Sequence, residues 1–373
     1  MKTPVTAREP EQTSTGTAET PTPAAALAGV VPTPDSAVTA RDVAVAELRR
    51  LASVWLKHEP GARLGQDPEE LHQLRVTARR IDATLALFKR QLPTSLMRAR
   101  KTTKALVRSL GAARDLDVLL SELAGYCAEL PEHERATAEP LRALLESERV
   151  RARARMVRSL DAEPTRRWLE TLAEAGAESG EPNGVDRATV VMPERVRRRF
   201  RKLRKSVGKL RGKSSMEDYH QVRRRAKQLR YATECGAVMF GKPADDMLKA
   251  LRRLQDKLGA HQDAYMAQDR LAAIAADPAS GLPPATLFLM GRLAEHHARV
   301  AAQARETLAR SWRKVRGKRW KALRARLGEL RESGAANGAA SHELESAVHD
   351  DVTGAPEATT AHAPEGESRP VKH

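Results

Sequence analysis

Two segments of the sequence place a histidine and two basic residues at helical spacing. They are His72, Arg75 and Arg79 in the first segment and His220, Arg223 and Lys227 in the second. At about 100° per residue, positions i, i+3 and i+7 lie within about 60° of one another on a helix. Arginine forks and lysine ammonium groups make charge-assisted hydrogen bonds to phosphate oxygens, and a neighbouring histidine can donate a ring N–H. The pattern therefore indicates a binding site for phosphate oxyanions.

The opposite face of each histidine helix is apolar. Leu74, Ile81 and Phe88 oppose the basic residues of the first helix, and Val222 and Leu229 oppose those of the second. Each helix therefore has one face for a core and one face for cations, and we call the six residues above the cationic stripes. One such helix alone would favour an ordinary solvent-exposed basic face. Exposed faces usually intersperse acids for i,i+4 pairing, however, and the same pattern with few acids occurs twice, which favours binding.

Further cations on these helices and on their neighbours enlarge the candidate set of phosphate-binding residues. They are Arg80, Lys101, Lys104 and Arg108 in the first half and Arg198, Arg201, Lys202, Lys205, Arg224, Arg230, Lys249 and Arg252 in the second. A single phosphate needs only two or three donors, so this many cations in two similar sets point to a linear polyanion. The run 198–209 has only Arg50 and Lys57 as counterparts, so we expect more charge in the second half.

The two segments belong to a longer internal repeat. The stretch 72–75 (HQLR) reappears 148 residues later as 220–223 (HQVR), and 110–112 (LGA) reappears at the same offset as 258–260. Apolar residues recur at helical spacing throughout the middle of the chain, and no alternating strand pattern of useful length is present. We therefore predict an all-α fold made of two tandem repeats of a helical bundle, with about four or five long helices each.

Charge separates a basic middle from two polar ends. The chain of 373 residues carries a net charge of +17, while residues 1–40 carry −2 and residues 333–373 carry −5, which leaves +24 for residues 41–332. Both ends lack the apolar content that would offset the entropy of ordering. The predicted organisation is a disordered leader over 1–39, helical repeats over 40–187 and 188–332, and a disordered acidic tail over 333–373.

Several function classes lack their usual signals. Two cysteines cannot form a disulfide framework, and no apolar run approaches the ~20 residues that span a bilayer, so we predict a cytoplasmic protein. The segment 208–214 has three residues between its glycines, whereas a nucleotide-binding P-loop needs four after a strand. The histidines show no metal-ligand spacing, and no nucleophile or paired-carboxylate motif occurs. The sequence therefore predicts a protein without enzymatic activity, cofactor or metal.

At these motifs the sequence resembles the conserved histidine α-helical domain (CHAD) family. The matching segments, which span nearly all of 41–332, are 71–76 with 78–80, 110–117, 219–223 with 226–231, and 254–259 with Asp263. One departure is Val76, which occupies the place of Arg224 in the second repeat and makes the first half the less certain contributor to binding.

The resemblance implies two bundles related by a pseudo-twofold axis around a basic central channel that binds inorganic polyphosphate. It also implies association with polyphosphate granules and their proteins in some members. On this basis, the cationic stripes and the basic residues of the neighbouring helices would line the channel. Many relatives carry an N-terminal triphosphate-tunnel domain with a Glu-x-Glu-x-Lys signature, which this chain lacks, so hydrolysis is not implied.

Two alternative functions stay open at this stage. A basic helical protein also satisfies the electrostatic requirement for nucleic-acid binding. Single-strand and RNA recognition depend on aromatic stacking, however, and Phe88, Phe200 and Phe240 are predicted to point into the core. The other alternative is an adaptor whose positive surface docks an acidic protein.

Overall fold

The computed structural model describes residues 38–175, 187–211 and 214–334. These residues are almost entirely helical, and the only β-type pairing among them is an isolated antiparallel bridge between Thr39 and Arg187. The prediction of an all-α fold is therefore confirmed. In the described part, no helix combines the length and the apolar character needed to cross a membrane. The predicted disorder of the leader and the tail lies outside the described residues, except at their inner edges, where Thr39 caps the first helix and residues 333–334 end the last one.

The first half of the described chain forms five helices of eleven or more residues. They are α1 (Ala40–Leu64), α2 (Pro68–Leu87), α3 (Thr94–Ala128), α4 (Glu139–Asp161) and α5 (Glu163–Ala173). A short helical segment, Glu132–Arg135, and a 3₁₀ turn, Ala136–Ala138, connect α3 to α4. The stripe that contains His72 therefore lies on α2.

The second half follows the same order. Its helices are α6 (Ala188–Val207), α7 (Met216–Cys235), α8 (Lys242–Ala276), α9 (Pro284–Lys314) and, after a π-helical turn at Val315–Arg319, α10 (320–334). The helices α6, α7 and α8 begin 148 residues after α1, α2 and α3, and α7 and α8 also end 148 residues after their counterparts. The offset found in the sequence therefore also relates the helix boundaries.

Side-chain caps fix the starts of the two histidine helices. Asp67 accepts a hydrogen bond from the Glu69 backbone N–H at the start of α2, where Pro68 occupies the first helical position. Ser215 and Asp218 form a reciprocal capping box at the start of α7. Both use residue types that favour helix starts, and each satisfies backbone donors that the first helical turn leaves unpaired.

The first helix continues through a proline. The sequence predicts a break near residues 59–68, and the helix ends within this range, because α1 passes Pro60 and stops at Leu64. The guanidinium of Arg153 in α4 donates a 2.9 Å hydrogen bond to the Ala62 carbonyl and so supports this last stretch. The helix ends at Gly65, whose φ of 73° lies in the left-handed region that glycine adopts without strain.

A main apolar core joins the two halves. Trp55 of α1 and Trp168 of α5 meet edge to face with ring centroids 4.7 Å apart, and the Trp168 indole N–H donates to Thr103 Oγ1 at 2.8 Å. Leu74 of α2 and Leu229 of α7 lie in the same core and are fully buried. The apolar faces of both histidine helices therefore point into the core, as the sequence predicts.

A second, separate core holds the far ends of the long helices together. Leu123 and Leu141 from the first half pack in it with Leu271 and Leu289 from the second half. These leucines are counterparts under the 148-residue offset, since 123 corresponds to 271 and 141 to 289. Cys127 packs against this core as a partly buried free thiol. The two cores therefore attach the halves to each other at two places.

The second core should contribute measurably to stability. Leu145 of α4 is fully buried in it, so Leu145→Ala should lower the free energy of unfolding by about 2–4 kcal/mol through lost burial and the cavity left behind. The matched control is Leu56→Ala on α1, where the leucine is 59% exposed and the change should cost less than about 0.5 kcal/mol. Urea unfolding followed by circular dichroism measures both, and equal losses would contradict the assignment of a second core.

Candidate functional site

The cationic stripes of α2 and α7 face each other. The two helices are in contact, and because their apolar faces are buried in the main core, their basic faces meet on the other side. A cavity of about 1170 Å³ lies on this side, bounded by α2, α3, α4, α7 and α8. Its walls include Ala152 of the main core and Leu119 and Ala267 of the second core. The cavity therefore lies between the two places where the halves are joined.

Eight of the eighteen predicted binding residues line this cavity. They are His72, Arg75, Arg79, Arg80, His220, Arg223, Lys227 and Arg230. They include both complete cationic stripes and come from both halves of the chain. Sequence reasoning therefore identified the helices that supply the basic wall, and the structure brings their side chains together.

A smaller cavity of about 260 Å³ adjoins the large one. The two share the lining residues Arg79, His220, Arg223, Lys227 and Tyr231. Arg224, also predicted, lines only the smaller cavity, together with Arg199 of α6. The stripe of α7 therefore borders both cavities. In total, nine of the predicted binding residues line at least one of them.

The predicted cations of α3 and α8 do not reach the cavity walls. These residues, Lys101, Lys104, Arg108, Lys249 and Arg252, are all exposed and line neither cavity. On α3, the three cations lie on about the same side of the helix as Asp115, which lines the large cavity. The part of α3 that lines this cavity, however, begins only at Ala112. The helices extend beyond the cavity. These cations therefore lie on the same helix faces as the cavity lining, but one to three helical turns outside it.

The predicted cations of α6 also lie outside the cavity walls. Arg198, Arg201 and Lys205 are exposed, Lys202 is half-buried, and Arg201 pairs with Glu194 at 3.3 Å. The physical reason is the packing of the opposite face, where Phe200 stacks on Trp320 with ring centroids 3.6 Å apart. This packing turns the basic face outward, and only Arg199 borders the smaller cavity.

Sequence reasoning missed several cations that do line the large cavity. They are Arg114 of α3, Arg151 and Arg155 of α4, and Arg270 of α8. Arg151 and Arg155 lie four residues apart, a spacing that places them on one helix face, so the arginine-rich stretch of α4 carried a usable signal. Arg114 directly precedes Asp115, a sequence that suggests a local salt bridge, whereas Asp115 instead pairs with Arg75.

Equivalent carboxylates hold one stripe arginine in each half. Asp115 lies 3.3 Å from Arg75, and Asp263 lies 3.8 Å from Arg223. Both aspartates are exposed to the cavity side and both pairs are counterparts under the 148-residue offset. Because the aspartate of each pair is exposed, the pairs contribute little to stability, and their main effect is to orient the largely buried guanidinium groups.

Glu234 of α7 is a buried carboxylate that contacts one cavity arginine from each half. Its oxygens lie 3.5 Å from Arg80 and 3.6 Å from Nε of Arg230, and the residue is 8% exposed. The second distance is too long for a hydrogen bond. Beyond these pairs the arginines keep unused donors. Within the described chain, the Nε groups of Arg75, Arg80 and Arg223 are buried without a hydrogen-bond partner.

The crowding of cations changes how these groups titrate. Burial, followed by the charges of Arg79 and Arg223, lowers the pKa of Lys227 to about 6. Burial and the neighbouring Arg79 also lower the pKa of Arg75 to about 10. The pKa of His72 is lowered as well, mainly by burial. At neutral pH Lys227 is therefore largely a neutral amine in the free protein.

A third cavity beside the large one has the opposite character. It measures about 330 Å³, and its lining includes Glu122, Asp263, His296 and His297. Burial, followed by the charge of Asp263, raises the pKa of Glu122 to about 7. Among the described residues, no group of three or more histidine, cysteine or acidic side chains could hold a metal ion.

The sequence matches the profile of a known protein family, and the fold is similar to two solved structures. The profile of the CHAD domain matches residues 46–272. The structure is similar to PptA from Streptomyces chartreusis, with 21% identity over 74% of this chain and 100% of that chain and a TM-score of 0.59. It is also similar to the CHAD domain from the plant Ricinus communis, with 22% identity over 80% of this chain and 97% of that chain and a TM-score of 0.54. No curated protein sequence matches the chain.

Because the pKa of Lys227 is lowered in the folded protein, this lysine should destabilise the fold at low pH and less so as the pH rises. The folded chain holds this amine at a pKa of about 6, whereas an unfolded lysine titrates near ~10.4, so the wild type gains stability relative to Lys227→Gln as the pH rises between these values. At pH 6 the variant should be more stable by at least ~1 kcal/mol, and the difference should vanish near pH 10.

Urea unfolding at pH 6, 8 and 10 measures this difference. The control variant Lys101→Gln changes an exposed lysine and should stay within about 0.5 kcal/mol of the wild type at every pH. A difference for Lys227→Gln that does not change with pH would show that the amine titrates normally in the folded protein.

Proposed function

Because the chain belongs to the CHAD domain family, we propose that it binds inorganic polyphosphate in the cavity between its two halves, without hydrolysing it. The observation that carries this proposal is the convergence of both cationic stripes on one cavity. Among the described lining residues, ten arginines and lysines face five carboxylates. Such an excess is repulsive in the empty cavity and becomes favourable when a polyanion enters.

The supply of hydrogen-bond donors supports a phosphate ligand. A guanidinium presents five N–H donors, and the carboxylates of Asp115, Asp263 and Glu234 occupy only some of those on the cavity arginines. Phosphate oxygens accept such hydrogen bonds in the bidentate geometry that arginine favours. A ligand with phosphates in series uses donors on α2 and α7 at the same time.

We also propose that the two halves are related by a pseudo-twofold axis and that the adjoining cavities form one channel. The pairing of Thr39 with Arg187 supports the axis, because these residues are themselves 148 apart and counterparts under the offset. The leucines of the second core support it in the same way. The shared wall of the two cavities supports continuity, and the exposed cations of α3 and α8 would then guide the ligand toward the channel.

The lining favours polyphosphate over nucleic acid. Apart from histidines, Tyr231 is the only aromatic residue among the described residues that line the two basic cavities. Proteins that bind single strands or RNA stack bases on several aromatic rings, whereas a chain of phosphates needs no stacking surface. The proposed setting is the cytoplasm, with polyphosphate granules and their proteins as the place where the ligand is concentrated.

Charge reversal inside the cavity should abolish most of the binding. Arg223→Glu combined with Lys227→Glu should weaken the binding of a defined polyphosphate chain by about 30-fold or more, since each charge-assisted contact is worth about 1.5–3 kcal/mol. The matched control reverses Lys321 and Arg324, which are exposed on α10 and line none of the three cavities, and should change the affinity less than threefold.

The same titration tests the alternatives when duplex DNA and RNA are compared with polyphosphate across a salt series. Polyphosphate should compete more strongly at matched phosphate concentration and should persist at salt concentrations that release DNA. Equal losses for the two double variants would show diffuse charge attraction instead of an organised cavity. Tight DNA binding would favour the nucleic-acid function, and weak binding of all three polyanions would favour an adaptor.

Polyphosphate binding should also take up a proton. A phosphate beside Lys227 favours the ammonium form, so binding near neutral pH protonates this amine, and affinity should fall as the pH rises from about 6 to 8. Isothermal titration calorimetry in buffers of different ionisation enthalpy should report close to one proton taken up. Lys227→Arg, whose guanidinium stays charged, should reduce the uptake, and an unchanged uptake would assign the proton to another group.

A further inference from the structure

Lys227 occupies an unusual place among the lysines of the described chain. It borders both basic cavities, and its charge is opposed by Arg75 and Arg79 from α2 and by Arg223 and Arg230 from its own helix. In the described residues, no carboxylate forms an ion pair with it. Its counterpart in the first repeat is Arg79, so this amine has no equivalent in the other half.

These surroundings favour an amine with a free lone pair. Burial disfavours the ammonium form, and four neighbouring guanidinium groups disfavour it further, which is a known way to activate a lysine as a nucleophile. The lowered pKa of Lys227 agrees with this geometry. The same guanidinium groups attract phosphate, so a small molecule with a phosphate group would place its neighbouring atoms next to the amine.

We propose that Nζ of Lys227 is a site of acylation by acyl phosphates, the class of small molecules in which a carboxylic acid is activated by a phosphate leaving group. The reactivity of the amine follows from its own surroundings, whereas the recruitment of the acyl phosphate rests on the proposed phosphate binding. No catalytic residue is required, because the donor molecule already contains the activated bond.

The chemical step is balanced by the two reactants. The lone pair of Nζ attacks the carbonyl carbon and forms an N–C bond, and the bond from that carbon to the bridging oxygen breaks with its electron pair. Inorganic phosphate leaves beside Arg79 and Arg223, and the proton lost from nitrogen passes to this phosphate or to water. The product is an amide at Lys227, which can no longer become an ammonium group when polyphosphate enters.

The experiment treats the full chain at pH 7.5 with acetyl phosphate or with the uncharged ester N-hydroxysuccinimidyl acetate and measures the acetylation rate of each lysine by peptide mass spectrometry. The internal controls are Lys57 and Lys89, which are exposed and line none of the cavities. With both reagents Lys227 should react about tenfold faster than these lysines, because its far larger neutral fraction is partly offset by its lower basicity. Acetyl phosphate should raise this preference further, and polyphosphate should suppress acetylation at Lys227 only.

A variant of a neighbouring cation tests the cause. Arg79→Gln leaves Lys227 in place but removes one opposing charge, so the pKa of Lys227 should rise toward the ordinary lysine value, and the pH at which its acetylation rate by the ester levels off should move upward by about one unit. Circular dichroism checks that this variant is folded. An unchanged pH profile of acetylation at Lys227 in Arg79→Gln would contradict the proposed origin of the reactivity.

The two reagents separate failure of this inference from failure of the proposed function. If Lys227 reacts no faster than Lys57 with either reagent while polyphosphate still binds, acylation is overturned and polyphosphate binding stands. If Lys227 reacts rapidly with the ester but shows no preference for acetyl phosphate and no protection by polyphosphate, the cavity does not recruit phosphate. That result overturns both the acyl-phosphate inference and the proposed function.

Discussion

The repulsion among cations where α2 meets α7 is the constraint on which the rest of the structure depends. Four arginines surround Lys227, and only a few carboxylates lie close enough to offset them. Two apolar cores on either side of the cavity hold the halves together against this repulsion. The fold therefore keeps a cavity whose charges repel one another when it is empty. Binding of a polyanion removes this repulsion, which makes the free energy of binding more favourable.

The two halves contribute to this cavity in unequal ways. Arg79 and Lys227 are counterparts under the 148-residue offset, but the second half carries a lysine at this place, and burial among cations lowers its pKa to about 6. Glu234 contacts Arg80 from one half and Arg230 from the other, although these two arginines are not counterparts. The helices of the two halves thus begin at matching positions, and single differences between counterpart residues give each wall its own chemistry.

The elements that could be predicted from the sequence are those that local chemistry determines. The caps at Asp67 and Ser215 follow from residue types that favour helix starts, and the apolar faces of α2 and α7 follow from helical periodicity. The meeting of their cationic stripes is what the family resemblance implies. The position of Lys101 outside the cavity did not follow, because it depends on how far α3 extends past the place where the helices enclose space. The cavity arginines of α4 were missed for a related reason: the spacing of Arg151 and Arg155 shows that they share a helix face, but only tertiary packing shows that this face borders the cavity.

The most direct measurement is a structure of the protein bound to a polyphosphate chain of defined length. The account predicts a row of phosphates in the cavity of about 1170 Å³, with oxygens on Arg79 from the first half and on Arg223 and Lys227 from the second. Phosphates bound only along the outward basic face of α6 or along α10, with the cavity between the halves unchanged, would contradict it.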